Sequence, residues 1–135
     1  MLTVLGIFCI IATLSIGCAT AKEFDYGDFT LDIDSLSNSA TETNFGFPTT
    51  IDNHLTHKGN VSVMVMNNTV DPDTTIKSFI EDDGFKEIEK IGDFTLFDTG
   101  NGEYEGVYFA DDYWVAIIFE DLDSGKDIIK SFKKK

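Results

Sequence analysis

Every charged side chain of this chain lies at or after Lys22. Ahead of it, Leu2 to Ala21 read LTVLGIFCIIATLSIGCATA, twenty uncharged and mostly apolar residues. Inside a water-soluble domain such a segment would need burial on all sides. About 20 apolar residues are enough to cross the ~30 Å hydrocarbon core of a bilayer. Residues 1–21 are therefore expected to be a signal peptide or membrane anchor, which leaves folding to the rest of the chain. Residues 22–27 are expected to be a tether. Residues 28–135 are expected to be a single domain, a usual size for one.

Three fates of the segment are open. Ala19-Thr20-Ala21 has the small-x-small pattern of a signal-peptidase site, with Ala19 and Ala21 flanking a cut after Ala21. Ser15-Ile16-Gly17-Cys18 resembles the lipobox of bacterial and archaeal lipoproteins, in which a small residue precedes a Cys that becomes lipidated. That resemblance implies lipidation of Cys18. Retention as an uncleaved helix is the third fate. All three place the domain outside the cytoplasm, either anchored at the outer face of the cell membrane or secreted.

Cys9 and Cys18 both fall in the apolar segment, so disulfides cannot hold the exported domain together. A core must do so. Twelve Phe, four Tyr and one Trp make it feasible, because each buried ring removes a large apolar area from water. The charge is strongly unbalanced: 24 acids against 10 lysines and no Arg, a net −14. Phosphate binding needs clustered cations, so a nucleic-acid partner is excluded, as is peripheral docking onto anionic lipid. Such a charge also favours a soluble, monomeric domain through mutual repulsion.

Periodicity supplies the elements. Phe29, Leu31 and Ile33 alternate with Asp28, Thr30 and Asp32, the period of a strand with one buried face. Ser35 to Thr43, small and polar, reads as an exposed loop, and Phe45 to Lys58 has no clear period. Asn60 to Met66 is apolar on both faces and reads as a central strand. Asp71-Pro72-Asp73 opens a helix carrying Ile76, Phe79 and Ile80 on one stripe, closed by Gly84. A four-strand meander follows: Phe85 to Ile91, Phe94 to Phe97, Tyr104 to Ala110 and Tyr113 to Phe119. The last of these, YWVAIIF, is the most apolar run of the domain. Asp123 or Ser124 is expected to cap a final helix running through Lys133. The expected class is α+β: a mostly antiparallel sheet of about five to six strands with two helices packed on it.

That element order, ending in a buried strand and a helix with the phrase Asp127-Ile128-Ile129-Lys130-Ser131-Phe132, resembles the PsbP/Mog1/LpqN type of domain. The resemblance covers most of residues 24 to 133. It implies an α-β-α sandwich. The family includes exported lipoproteins and diverse binding or accessory domains, so the resemblance implies no single reaction and no functional residue.

Few motifs carry chemistry. Asp52-x-His54-x-x-His57 would need a helical turn to share a metal, and Pro48 and Gly59 argue against one; two exposed loop histidines are expected instead. In Glu120 to Asp127, placing Gly125 at the sixth position of a calcium loop puts Leu122 at the third, so the register fails. No Cys remains for nucleophilic catalysis, and there is no G-x-S-x-G, P-loop or dinucleotide fingerprint. Catalytic residues, metal and cofactor are accordingly expected to be none. Asn60-Val61-Ser62 and Asn67-Asn68-Thr69 are N-glycosylation sequons. The expected role is non-enzymatic: a membrane-associated domain binding an unknown protein or small ligand at the cell surface. A small-ligand carrier, or a hydrolase using carboxylates near Tyr108 to Tyr113, is the alternative.

Overall fold

The computed structural model describes residues 21–44 and 46–135. Ten strands and two helices occur among them: β1 (Lys22–Asp25), β2 (Phe29–Ile33), β3 (Ser35–Asn44), β4 (Pro48–Thr56), β5 (Gly59–Met66), α1 (Pro72–Glu81), β6 (Lys86–Ile91), β7 (Phe94–Asp98), β8 (Tyr104–Phe109), β9 (Trp114–Phe119), α2 (Leu122–Lys130) and β10 (Lys133–Lys134). Seven form one antiparallel sheet in the order β3-β4-β5-β9-β8-β7-β6, and three form a second in the order β10-β2-β1.

The chain is therefore mostly β, and the expected α+β sheet of five to six strands under two helices is overturned, along with the α-β-α sandwich. The meander over β6 to β9 and the central place of β5 and β9 agree with the periodicity. Three other segments do not. Ser35–Asn44, expected as a loop, is the longest strand, at ten residues. It is the sheet's edge, exposed on both sides along residues 36 to 42, so no side-chain alternation marks it; backbone pairing to β4 makes it a strand. In β4 the buried residues are Asp52, His54 and Thr56 on one face and Thr49 on the other, all polar, so a search for apolar alternation passes over them. Lys22–Asp25 pairs with β2 rather than serving as a tether.

The large sheet has two unlike faces. On one, Val61, Val63, Val65, Val115, Ile117 and Phe119 meet Phe29, Leu31 and Ile33 of the small sheet and Ile128 and Ile129 of α2 in a single core. Fully burying an aliphatic side chain stabilises by about 1.5–3 kcal/mol, so this face holds the fold. Helix α2 docks closely because Gly125 and Gly106 leave room for the Phe119 ring and the Ile129 side chain. Its cap is Asp121, which accepts from the Ser124 N–H at 3.0 Å, two residues earlier than expected. The other face carries α1, which contributes Ile76 and Phe79 to a smaller cluster with Phe97, Val107 and Ala116 but buries no residue completely. Asp71 caps α1, and Gly84 beyond it takes positive φ, both as expected.

The phrase at the end of α2 acquires a concrete role. Ser131 Oγ accepts from the Asp32 N–H at 2.8 Å and donates to the Ile128 carbonyl at 2.5 Å. The Phe132 ring lies 5.1 Å from Phe29, 5.1 Å from Phe94 and 4.9 Å from Tyr108. Phe132 thus anchors the chain among three aromatic side chains just before the lysine run of Lys133, Lys134 and Lys135.

Candidate functional site: an acid-aromatic cleft and a buried Asp-His network

Two cavities bring polar side chains together. The first, about 650 Å³, opens between α1, the β8–β9 turn and the small sheet. Its walls include Tyr108 and Tyr113 with the carboxylates of Asp28, Asp93, Asp111 and Asp112. The turn that carries Asp111 and Asp112 is closed by the Ala110 N–H donating to the Tyr113 carbonyl at 2.9 Å. That closure forces both acids outward, and both are exposed. Tyr108 and Tyr113 point the other way and are buried. An aromatic floor with an acidic rim is the result, because side chains alternate along β8 up to a tight turn.

Lys134 of β10 and Lys135 just beyond it line this cleft. The Lys134 ammonium is 5.5 Å from the centroid of the Tyr108 ring, inside the ~6 Å range of a cation–π contact. Its pKa is raised, first by a hydrogen bond to Tyr108 and further by the charges of Asp93 and Tyr113. Burial raises the Tyr113 pKa; neighbouring Tyr108, Asp28 and Asp112 add to this, and Lys134 opposes it. Lys135 reaches Asp25 Oδ2 at 2.7 Å and lowers that carboxyl's pKa. The cleft thus gathers negative charge around ring faces and already holds an ammonium group.

The second cavity, about 550 Å³, lies between the two sheets and is lined by Phe24, Tyr26, Asn38, Thr50 and Asp52. At its base, Asp52 Oδ2 accepts from the Tyr26 hydroxyl at 2.7 Å and lies 2.7 Å from His54 Nε2. Asp52 Oδ1 accepts from Asn38 Nδ2 at 3.3 Å. His54 Nδ1 lies 2.8 Å from Ser35 Oγ, and the Phe24 ring stands edge-on to the imidazole at 4.5 Å. Burial, and then Asp52, push the Tyr26 pKa far above the ordinary tyrosine range.

His54 is 1% exposed, so the expectation of two exposed loop histidines is corrected for it. Strand alternation turns Asp52 and His54 inward together and leaves His57 in the β4–β5 turn, exposed and 3.5 Å from Asp34. The D-x-H spacing on a strand was the available signal, since residues two apart share a face. Ser35, His54 and Asp52 have the order of a hydrolytic relay, but Ser35 Oγ also donates to the Ser37 carbonyl at 3.1 Å and is not part of the cleft wall. The network joins β1, β3 and β4; it does not present a nucleophile.

The other sequence-derived positions are spread apart. Cys18 and Ala19 lie outside the described residues. Ala21 is exposed, and Asn60 and Asn67 are exposed at opposite ends of β5. The carboxylates near Tyr108 to Tyr113 do converge, in the first cleft. Among the described residues no three His, Cys, Asp or Glu side chains are arranged to hold a metal ion, and no helix is long and apolar enough to cross a membrane. No family model matches the chain, and neither does any curated protein or solved structure.

Proposed function

We propose that this chain is an exported, membrane-associated domain of non-enzymatic role at the cell surface, and that it binds a cationic ligand in the acid-aromatic cleft. One observation carries the binding reading: the Lys134 ammonium seated over Tyr108 in a cleft rimmed by Asp28, Asp93, Asp111 and Asp112. A group of that chemistry fits the site, and the net charge of −14 draws cations toward it from a distance. The uncharged segment Leu2–Ala21, with Cys18 preceded by Gly17, supports export and tethering.

Calorimetric titration of the purified protein with a linear polyamine tests the binding. Uptake at low salt is expected, with affinity falling about tenfold as salt is raised to several hundred millimolar, because exposed charges are screened. No heat at low salt would contradict the reading. Cell fractionation with mass analysis of the mature N-terminus tests the tether. A lipid-modified Cys18 in the membrane fraction is expected; a free N-terminus at Lys22 in the medium would contradict attachment.

A further inference from the structure

The lysines that occupy the cleft enter it as a strand. Strand β10 is two residues long and exposed, and it pairs with only the first part of β2: Lys133 opposite Thr30 and Lys134 opposite Phe29. The Lys135 N–H adds one bond to the Asp28 carbonyl at 3.1 Å. Three features meet here. Asp28 and Thr30 offer backbone pairing, Tyr108 offers a ring face to one ammonium, and Asp25 offers a carboxylate to the next. Successive residues of a strand point to opposite sides, which is how Lys134 and Lys135 reach different partners.

We propose that the ligand of this cleft is an extended, lysine-bearing peptide segment, which adds to β2 in the place held by β10. The inference rests on the cation-binding reading above and specifies its partner. The run Lys133–Lys135 is a placeholder that displays the ligand's chemistry. Removing it breaks little: the strand is short, both of its residues are exposed, and its lysine contacts are of the weak surface kind. The chain stays attached when β10 lifts, because Phe132 remains among Phe29, Phe94 and Tyr108. Strand addition to a sheet edge takes affinity from main-chain hydrogen bonds and specificity from pockets for alternate side chains. Both are present at this edge.

The test uses the full chain and two probes. One is an amidated peptide with the sequence Ser-Phe-Lys-Lys-Lys. The other is the same peptide N-methylated at the backbone amides of its first and third lysines, the positions of Lys133 and Lys135, which keeps every charge and removes the pairing donors. Binding of the first, with the second at least roughly tenfold weaker, is expected from the loss of main-chain hydrogen bonds. In the variant Lys134→Gln with Lys135→Gln the first peptide is expected to bind roughly three- to tenfold tighter, because the internal cations no longer compete. Equal binding of the two peptides would overturn the strand-addition proposal and leave the cation reading standing. Failure of both peptides and of the polyamine would remove the cation reading itself. An unchanged affinity in the double variant would overturn the placeholder role of β10. A concentration-dependent dimer that excludes the peptide would assign the cleft to the Lys133–Lys135 run of a second copy and overturn the proposal as well.

Discussion

The two acidic regions of this molecule use the same side chain in opposite ways. Asp52, 6% exposed, receives the Tyr26 hydroxyl, the Asn38 amide and the His54 imidazole from within its own fold. Asp28, Asp93, Asp111 and Asp112 are exposed around a ring floor, and the cations of their cleft, Lys134 and Lys135, come from a two-residue strand and the residue after it. A buried carboxylate must be partnered, because leaving it bare is costly. An exposed one need not be. The first region is therefore a staple between the sheets, and the second is free to receive a ligand. Acid content alone does not separate these roles; the source of the donors does.

Removing Asp52 should have the largest effect. Asp52→Ala leaves the Tyr26 hydroxyl and the His54 imidazole without their acceptor and is expected to cost about 3 kcal/mol, read from the denaturant midpoint. A cost below about 0.5 kcal/mol, the level of an ordinary surface change, would erase the distinction between the regions. Glu105 on β8 is an intermediate case: a half-buried carboxylate whose charged neighbours among the described residues are themselves acids. Burial first, then Asp83 and Glu103, raise its pKa to about 7. The folded state thus binds a proton that the unfolded state releases near the ordinary glutamate value of 4.5. Stability contributed by the protonated form is present below that value and is lost as pH rises through about 7. Glu105→Gln is expected to be about 2 kcal/mol more stable than the parent at pH 8 and no more stable at pH 4. A pH-independent difference would show that Glu105 ionises freely. The smallest stability effect belongs to the cleft. Asp111→Asn and Asp112→Asn are expected to stay within about 0.5 kcal/mol of the parent while weakening polyamine binding. A loss of stability without a loss of binding would make these acids a second staple.

Much of the fold was legible because apolar periodicity reports burial. YWVAIIF and NVSVMVM took the expected places, and Ile128 and Ile129 face the core from the last helix; that helix ends at Lys130 rather than running through Lys133, so Phe132 packs from beyond it and Lys133–Lys134 form a strand. The two strands β3 and β4 at one end of the seven-stranded sheet were not, for two physical reasons. An edge strand exposed on both sides has no hydrophobic signal, and in β4 the inward face is built from Thr, Asp and His. The resulting error was one of class: two unseen strands and a small second sheet turned an expected α+β domain into a mostly β one. Site legibility followed the same division. Asp111, Asp112 and Tyr113 could be flagged because a turn between apolar strands brings them together in sequence. Asp28, Asp93 and Lys134 reach the same cleft from three distant turns and strands, which no local pattern encodes.

Backbone amide shifts during titration of the full chain with the Ser-Phe-Lys-Lys-Lys peptide test the central claim most directly. The account predicts saturable shifts at Phe29, Thr30, Tyr108 and Asp111 to Tyr113, while Thr50, Asp52 and His54 stay still. Shifts centred on Asp52 and His54, with the acid-aromatic cleft unmoved, would contradict it.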